Sequence, residues 1–179
     1  MTLGVETIGG LLIVLAVVVC LVGWVRRPRL RVYIGKYLVG RVYIFRDKSR
    51  PGIVKIGMTG GRHTMERKGE VSRDMADGGE LAQIYAIDHI PFPRAVESVA
   101  HQIMARRRVR WPAGSKRGRE WFHAKGEQGE LRAVKAVERA ARLVRISARK
   151  KRRWPEWADA KVAVWRLSGR TVTRYRLFG

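Results

Sequence analysis

The chain has 179 residues, with 38 Lys and Arg against 15 Asp and Glu and a formal charge of +23, which leaves room for one ordinary domain with appendages. Such an excess calls for a polyanionic partner, and nucleic acid and anionic lipid both qualify because each rewards clustered cations. A single cysteine, Cys20, excludes an internal disulfide, and four His without Cys partners exclude a structural zinc site.

The first element is an 18-residue uncharged run from Ile8 to Val25. As a helix it would be roughly 27 Å long at about 1.5 Å per residue, close to a hydrocarbon core. Arg26, Arg27, Arg29 and Arg31 follow it, whereas the leader Met1 to Thr7 holds Glu6 and no cation. By the positive-inside rule this predicts a single-pass anchor over residues 1–27, with the N-terminus outside and the main body cytoplasmic at the cell membrane. A basic leader and small-x-small exit, the marks of a cleaved signal, are missing. The alternative is a buried core helix.

After Pro28, the segments Leu30 to Leu38 and Arg41 to Phe45 are rich in Val, Tyr and Ile, and both read as strands. Asp47-Lys48-Ser49-Arg50-Pro51-Gly52 is a turn cluster, and Ile53 to Gly57 returns as the partner strand, so Arg41 to Gly57 forms a hairpin. Gly60-Gly61 precedes a helix expected from about Thr64 to Met75, and Leu81 to Ile90 is a further strand stopped by Pro91 and Pro93. A helix from about Arg94 to Arg107 places Val96, Val99, Ile103 and Met104 on one face, with Pro93 suited to its first turn. Glu120-Trp121-Phe122 then packs back on the core. The predicted class is α+β, a small antiparallel sheet with helices packed on it, over residues 30–125.

Residues 126–179 form a basic extension. Leu131, Val134, Val137, Ala141 and Val144 make one apolar stripe of a long amphipathic helix from Gln128 to Arg149. It ends in Arg149-Lys150-Lys151-Arg152-Arg153, a run suited to phosphates of DNA or lipid. Lys161 to Leu167 and Arg170 to Phe178 flank Ser168-Gly169 as a terminal hairpin.

The motifs Gly40-Arg41-Val42-Tyr43, Lys55-Ile56-Gly57-Met58-Thr59, Arg67, Glu97-Ser98-Val99-Ala100-His101 and Glu120-Trp121-Phe122 come in an order that resembles the GIY-YIG nuclease superfamily. The branch they match is the phage T5-type DNA-binding domain, with G-x-V-Y, K-I-G-x-T, Arg, E-x-x-L-H and E-W-F in register. The resemblance covers about residues 40 to 123. A literal Tyr33-Ile34-Gly35 lies upstream of the first motif, in the wrong order to serve as the second.

The resemblance implies DNA as partner and a phosphodiester-handling site with no small-molecule cofactor. In it Tyr43 would orient or activate a water, Arg67 would hold the scissile phosphate, and Glu97 would bind a single Mg²⁺. His101, one helical turn after Glu97, would support the metal or shuttle a proton. Gly57 marks a close backbone approach, and Thr59, Glu120, Trp121 and Phe122 complete the structural motif. Arg62, Arg106, Arg107, Arg108, Lys116 and Arg117 are the candidate nucleic-acid contacts. Lys55 stands where the superfamily name has a tyrosine; it would replace that tyrosine as a proton acceptor, with its pKa lowered by neighbouring Arg67, or would only contact phosphate, so binding is implied more securely than cleavage. A membrane-anchored DNA-binding protein with an endonuclease-like domain is the reading. The alternatives are a catalytically silent DNA tether and a scaffold for anionic lipid.

Overall fold

The computed structural model describes residues 14–15, 17–18, 30–36, 38–60, 80–112, 118–160, 162–167 and 171–176. The chain divides into two compact units, Met1–Leu30 and Arg31–Gly179. In the first, residues 14–15 and 17–18 are helical and exposed, and the rest of the expected anchor over Ile8 to Val25 lies outside the described residues. Among the described residues no helix is long and apolar enough to cross a membrane.

The second unit is built on an antiparallel sheet. Its central strand β1 (Val39–Asp47) pairs with β2 (Ile53–Thr59) on one side and β3 (Leu81–Pro91) on the other. The consecutive apolar residues Val42, Tyr43, Ile44 and Phe45 are all at most 1% exposed, as expected of a strand covered on both faces. The predicted hairpin is present, with Tyr43 opposite Gly57 and Phe45 opposite Lys55. Its turn is held by Asp47, whose buried Oδ1 accepts from Ser49 N (3.0 Å) and Arg50 N (3.2 Å). Gly52 closes the turn at φ +88°, where a side chain would be strained.

Two register shifts bend β3 against β1. One leaves Ile84 as an extra residue between the pairs Phe45–Gln83 and Ile44–Tyr85, so Ile84 and Tyr85 both reach the core beneath the helices. The other falls at Asp88 and His89, where His89 adopts φ 50°.

Helix α1 (Pro93–Ile103) follows β3, with Pro in its first turn where no intrahelical donor is needed. It is shorter than predicted: a 3₁₀ turn, Ala105–Arg107, takes the last residues. Of the predicted face Val96, Val99 and Met104 are buried and Ile103 is partly buried against the core. Strand β4 (Trp121–His123) adds to β2, and α2 (Gly126–Lys150) packs on α1 through Ala133, Val137, Ala140, Ala141 and Val144. Alanines along this face let the two helices approach closely.

The terminal hairpin, β5 (Val162–Leu167) and β6 (Thr171–Arg176), is also present and extends the sheet through β3, giving the order β4-β2-β1-β3-β5-β6. The expected helix from Thr64 to Met75 lies outside the described residues.

One predicted strand is overturned. Residues 30–36 and 38 form no strand but an irregular segment, although Ile34 is buried. Side chains satisfy its backbone. Gln102 exchanges two hydrogen bonds with Arg31, Arg31 N to Oε1 (2.8 Å) and Nε2 to Arg31 O (2.9 Å), and Arg153 donates to the carbonyls of Ile34 (3.2 Å) and Gly35 (2.8 Å). Strand composition alone does not make a strand when long side chains reach the peptide groups first.

A further tie joins β1 to α2. Arg46 donates Nε and Nη2 to Glu130, 2.5 and 2.8 Å away, and Glu130 is only 7% exposed. Glu130→Ala removes a two-point contact and leaves the Arg46 charge half-covered. The expected loss is about 1–3 kcal/mol in chemical denaturation, and an Arg46→Ala/Glu130→Ala double-mutant cycle is expected to return coupling above about 1 kcal/mol.

Candidate nucleic-acid interface at the open end of β2

Strand β4 is only three residues long, and that shortness creates the site. It pairs with Ile53, Val54 and Lys55 of β2, and Glu120 O accepts from Ile56 N at 3.1 Å. Past that point no strand among the described residues flanks β2 on this side, yet its peptide groups still need partners. Helix α1 supplies them. His101 Nε2 lies 3.0 Å from Ile56 O, and the Glu97 carboxylate accepts from the backbone N–H of Met58. The Glu-x-x-x-His spacing therefore matches the spacing of outward peptide groups along the strand.

This arrangement fixes the charges. Burial pushes the Glu97 carboxyl up to about 7, and the like charge of Glu120 adds to it; Lys55, Arg94 and the Met58 N–H pull the other way. Burial lowers the pKa of His101, against the Ile56 carbonyl and Glu120. Since a carbonyl only accepts, Nε2 carries the proton and, in the neutral ring, Nδ1 is left as the acceptor. The ring tilts against Phe122 with centroids 5.2 Å apart.

Lys55 is 6% exposed and its ammonium pairs with Glu120, 65 residues further on. The same ammonium sits 5.7 Å from the centre of the Trp121 ring. Tyr43 occupies the sheet face away from the helices, stacked on Phe45 at 4.3 Å and 1% exposed. Its ring end lies over Gly57, where a Cβ would sit 2.6 Å from the Tyr43 hydroxyl oxygen. The glycine of the motif thus makes room for the tyrosine of the preceding strand.

The structure brings Lys55, Glu97, His101, Glu120, Trp121 and Phe122 together, while Tyr43 stays packed over Gly57 on the sheet face away from the helices. Thr59 ends β2 and is buried. Of the cationic candidates, Arg106 and Arg107 are exposed on the 3₁₀ turn, and Arg108 lies half-buried with its guanidinium 5.8 Å from the centre of Phe122. Arg62, Arg67, Lys116 and Arg117 lie outside the described residues. Arg94 belongs to none of the sequence motifs. It stands three residues before Glu97 on α1, close enough to favour its ionised form, and the i, i+3 relation was the available signal.

The donor set fits a hard divalent cation. Glu97 and Glu120 offer carboxylate oxygens whose mutual repulsion a cation would relieve, and Mg²⁺ is commonly held by one or two carboxylates with substrate phosphates completing its shell. Among the described residues no cluster of three or more His, Cys, Asp or Glu is placed to hold a metal by itself.

An α+β domain whose first helix finishes the edge of a short strand with an acid and a histidine defines the class. The T5orf172 domain matches residues 40–145, more than half of the chain, and the protein belongs to that family. No curated protein and no solved structure matches it. The match runs past β4 into α2, in keeping with the packing of α2 on α1.

Proposed function

We propose that the protein binds DNA through this nuclease-like domain and cleaves phosphodiester bonds with Mg²⁺. The observation that carries the reading is Glu97, a carboxyl kept in a covered place beside a second acid at the open end of a strand, in a chain of charge +23. An acid so disfavoured in its ionised form needs a cation or a proton to be at ease there. Glu97 would hold the Mg²⁺ with Glu120 near it, and a bound divalent cation supplies charge neutralisation to the phosphate. Lys55 would exchange its Glu120 partner for a phosphate oxygen, Arg67 would hold the scissile group, and Tyr43 would orient the water. His101 has Nε2 engaged by Ile56, so proton transfer through it would use Nδ1.

One observation favours binding without cleavage as the second reading: the Lys55 ammonium is already engaged in an ion pair with Glu120. The apolar run from Ile8 to Val25 supports a location at the cell membrane, with the domain on the cytoplasmic side.

Incubating the full chain with labelled duplex and single-stranded DNA, in Mg²⁺ or chelator, separates these readings. Metal-dependent nicking that disappears in Glu97→Gln is the expected result. Binding that weakens steeply with salt, without nicking, supports the tether. No binding to DNA at moderate salt overturns both.

A further inference from the structure

At the N-terminal end of α1, next to the site, lies a cavity of about 630 Å³ lined by Tyr33, Lys36, Leu38, Phe92, Pro93 and Arg94 among others. That volume falls in the range of small-molecule sites, about 300–1,000 Å³. Its composition is divided. Leu38, Phe92 and Pro93 give an apolar floor, Lys36 and Arg94 are exposed cations, and no acid is among the described lining residues.

Tyr33 is the unusual member. It is 82% exposed, an extreme value for an aromatic ring, and Gly35 lies against its edge, where a Cβ would come 3.4 Å from the ring. The segment that presents it is held in place: Arg31 is bonded to Gln102 of α1, and Arg153 bonds the carbonyls of Ile34 and Gly35 while its guanidinium lies 5.4 Å from the centre of Phe92. An exposed ring on a fixed support loses little freedom when something stacks on it.

Arg94 connects the cavity to the site. It lines the cavity and stands three residues before Glu97 on the same helix. A phosphate held by Arg94 would lie between an occupant of the cavity and the Glu97 carboxylate. An aromatic platform, an apolar floor and flanking cations without acids suit one ligand chemistry, a flat heterocycle carrying a phosphate.

Resting on the DNA-binding reading above, we infer that this cavity receives an unstacked nucleobase on Tyr33, with its phosphate on Arg94, so that the protein favours single-stranded, bulged or frayed DNA over intact duplex. The tripeptide Tyr33-Ile34-Gly35 thereby has a use unrelated to the motif it imitates. Stacking on an aromatic side chain is sequence-tolerant because every base has a π-face, so the preference is for structure and not for sequence.

The test uses the full chain, an intact duplex, and the same duplex with one bulged 2-aminopurine whose fluorescence falls on stacking. Tyr33→Ala is expected to weaken binding of the bulged form about 5- to 100-fold, to leave the intact duplex within about twofold, and to abolish the fluorescence loss. Tyr33→Phe is expected to behave as the unsubstituted protein. With Tyr33 so exposed, circular dichroism should report an unchanged fold. Equal effects of Tyr33→Ala on bulged and intact DNA, or a 2-aminopurine signal that does not change on binding, overturn the inference and leave DNA binding standing. Failure of the unsubstituted protein to bind either form overturns the DNA-binding reading and this inference with it.

Discussion

Glu97→Gln is expected to make the protein more stable at pH 8, by about 1–3 kcal/mol, while removing its response to divalent cations. The sign follows from the direction of the shift. Glu97 is held near 7 in the folded chain against an ordinary value of 4.5, so the folded state keeps a proton that the unfolded chain has already released. Stability contributed by the protonated form is fully present below about 4.5 and is lost as pH rises through 7. His101 pulls the other way. Its pKa is lowered from 6.5, so its burial costs stability as pH falls below that value. The difference between the parent and Glu97→Gln isolates the acid, since His101 is common to both. Urea denaturation from pH 4 to pH 8, with and without Mg²⁺, measures it. A parent whose stability is flat over that window, with no gain in the glutamine variant, would show that Glu97 is not held protonated. Such a gain on removing an acid marks a position kept for a purpose other than folding.

Gly57→Ala is expected to cost about 1–3 kcal/mol. The added methyl would lie 2.6 to 2.8 Å from three atoms of the Tyr43 ring end, and that ring is itself 1% exposed and stacked on Phe45, so it has nowhere to go. The damage would also reach the site, since Tyr43 and Lys55 share this sheet face with Trp121. Thermal denaturation reads the stability loss, and DNA affinity at a temperature where both forms are folded reads the second effect. An unchanged melting temperature would mean that the tyrosine moves readily, contrary to its packing.

The parts of the fold that sequence made legible are those fixed by local physics. The run Val42 to Phe45, the Asp47 to Gly52 turn, Pro93 at the head of α1 and the apolar stripe of α2 each act within a few residues, and each is where expected. The candidate residues that share α1, Glu97 and His101, were legible for the same reason. What sequence left hidden depends on distant partners. The Lys55–Glu120 pair spans 65 residues and the Arg46–Glu130 pair 84, and no spacing rule connects them. Leu30 to Leu38 was misread because Val, Tyr and Ile look alike in a strand and in a segment pinned by Gln102 and Arg153. Glycine 57 was legible as a close approach, but its neighbour, the ring of Tyr43, was not.

Because Glu97 and His101 occupy the peptide groups of β2 beyond Glu120, that edge is shut to strand addition by another chain. The same acid and histidine that mark the candidate site would thus also guard against self-association, and a variant lacking both is expected to self-associate more readily.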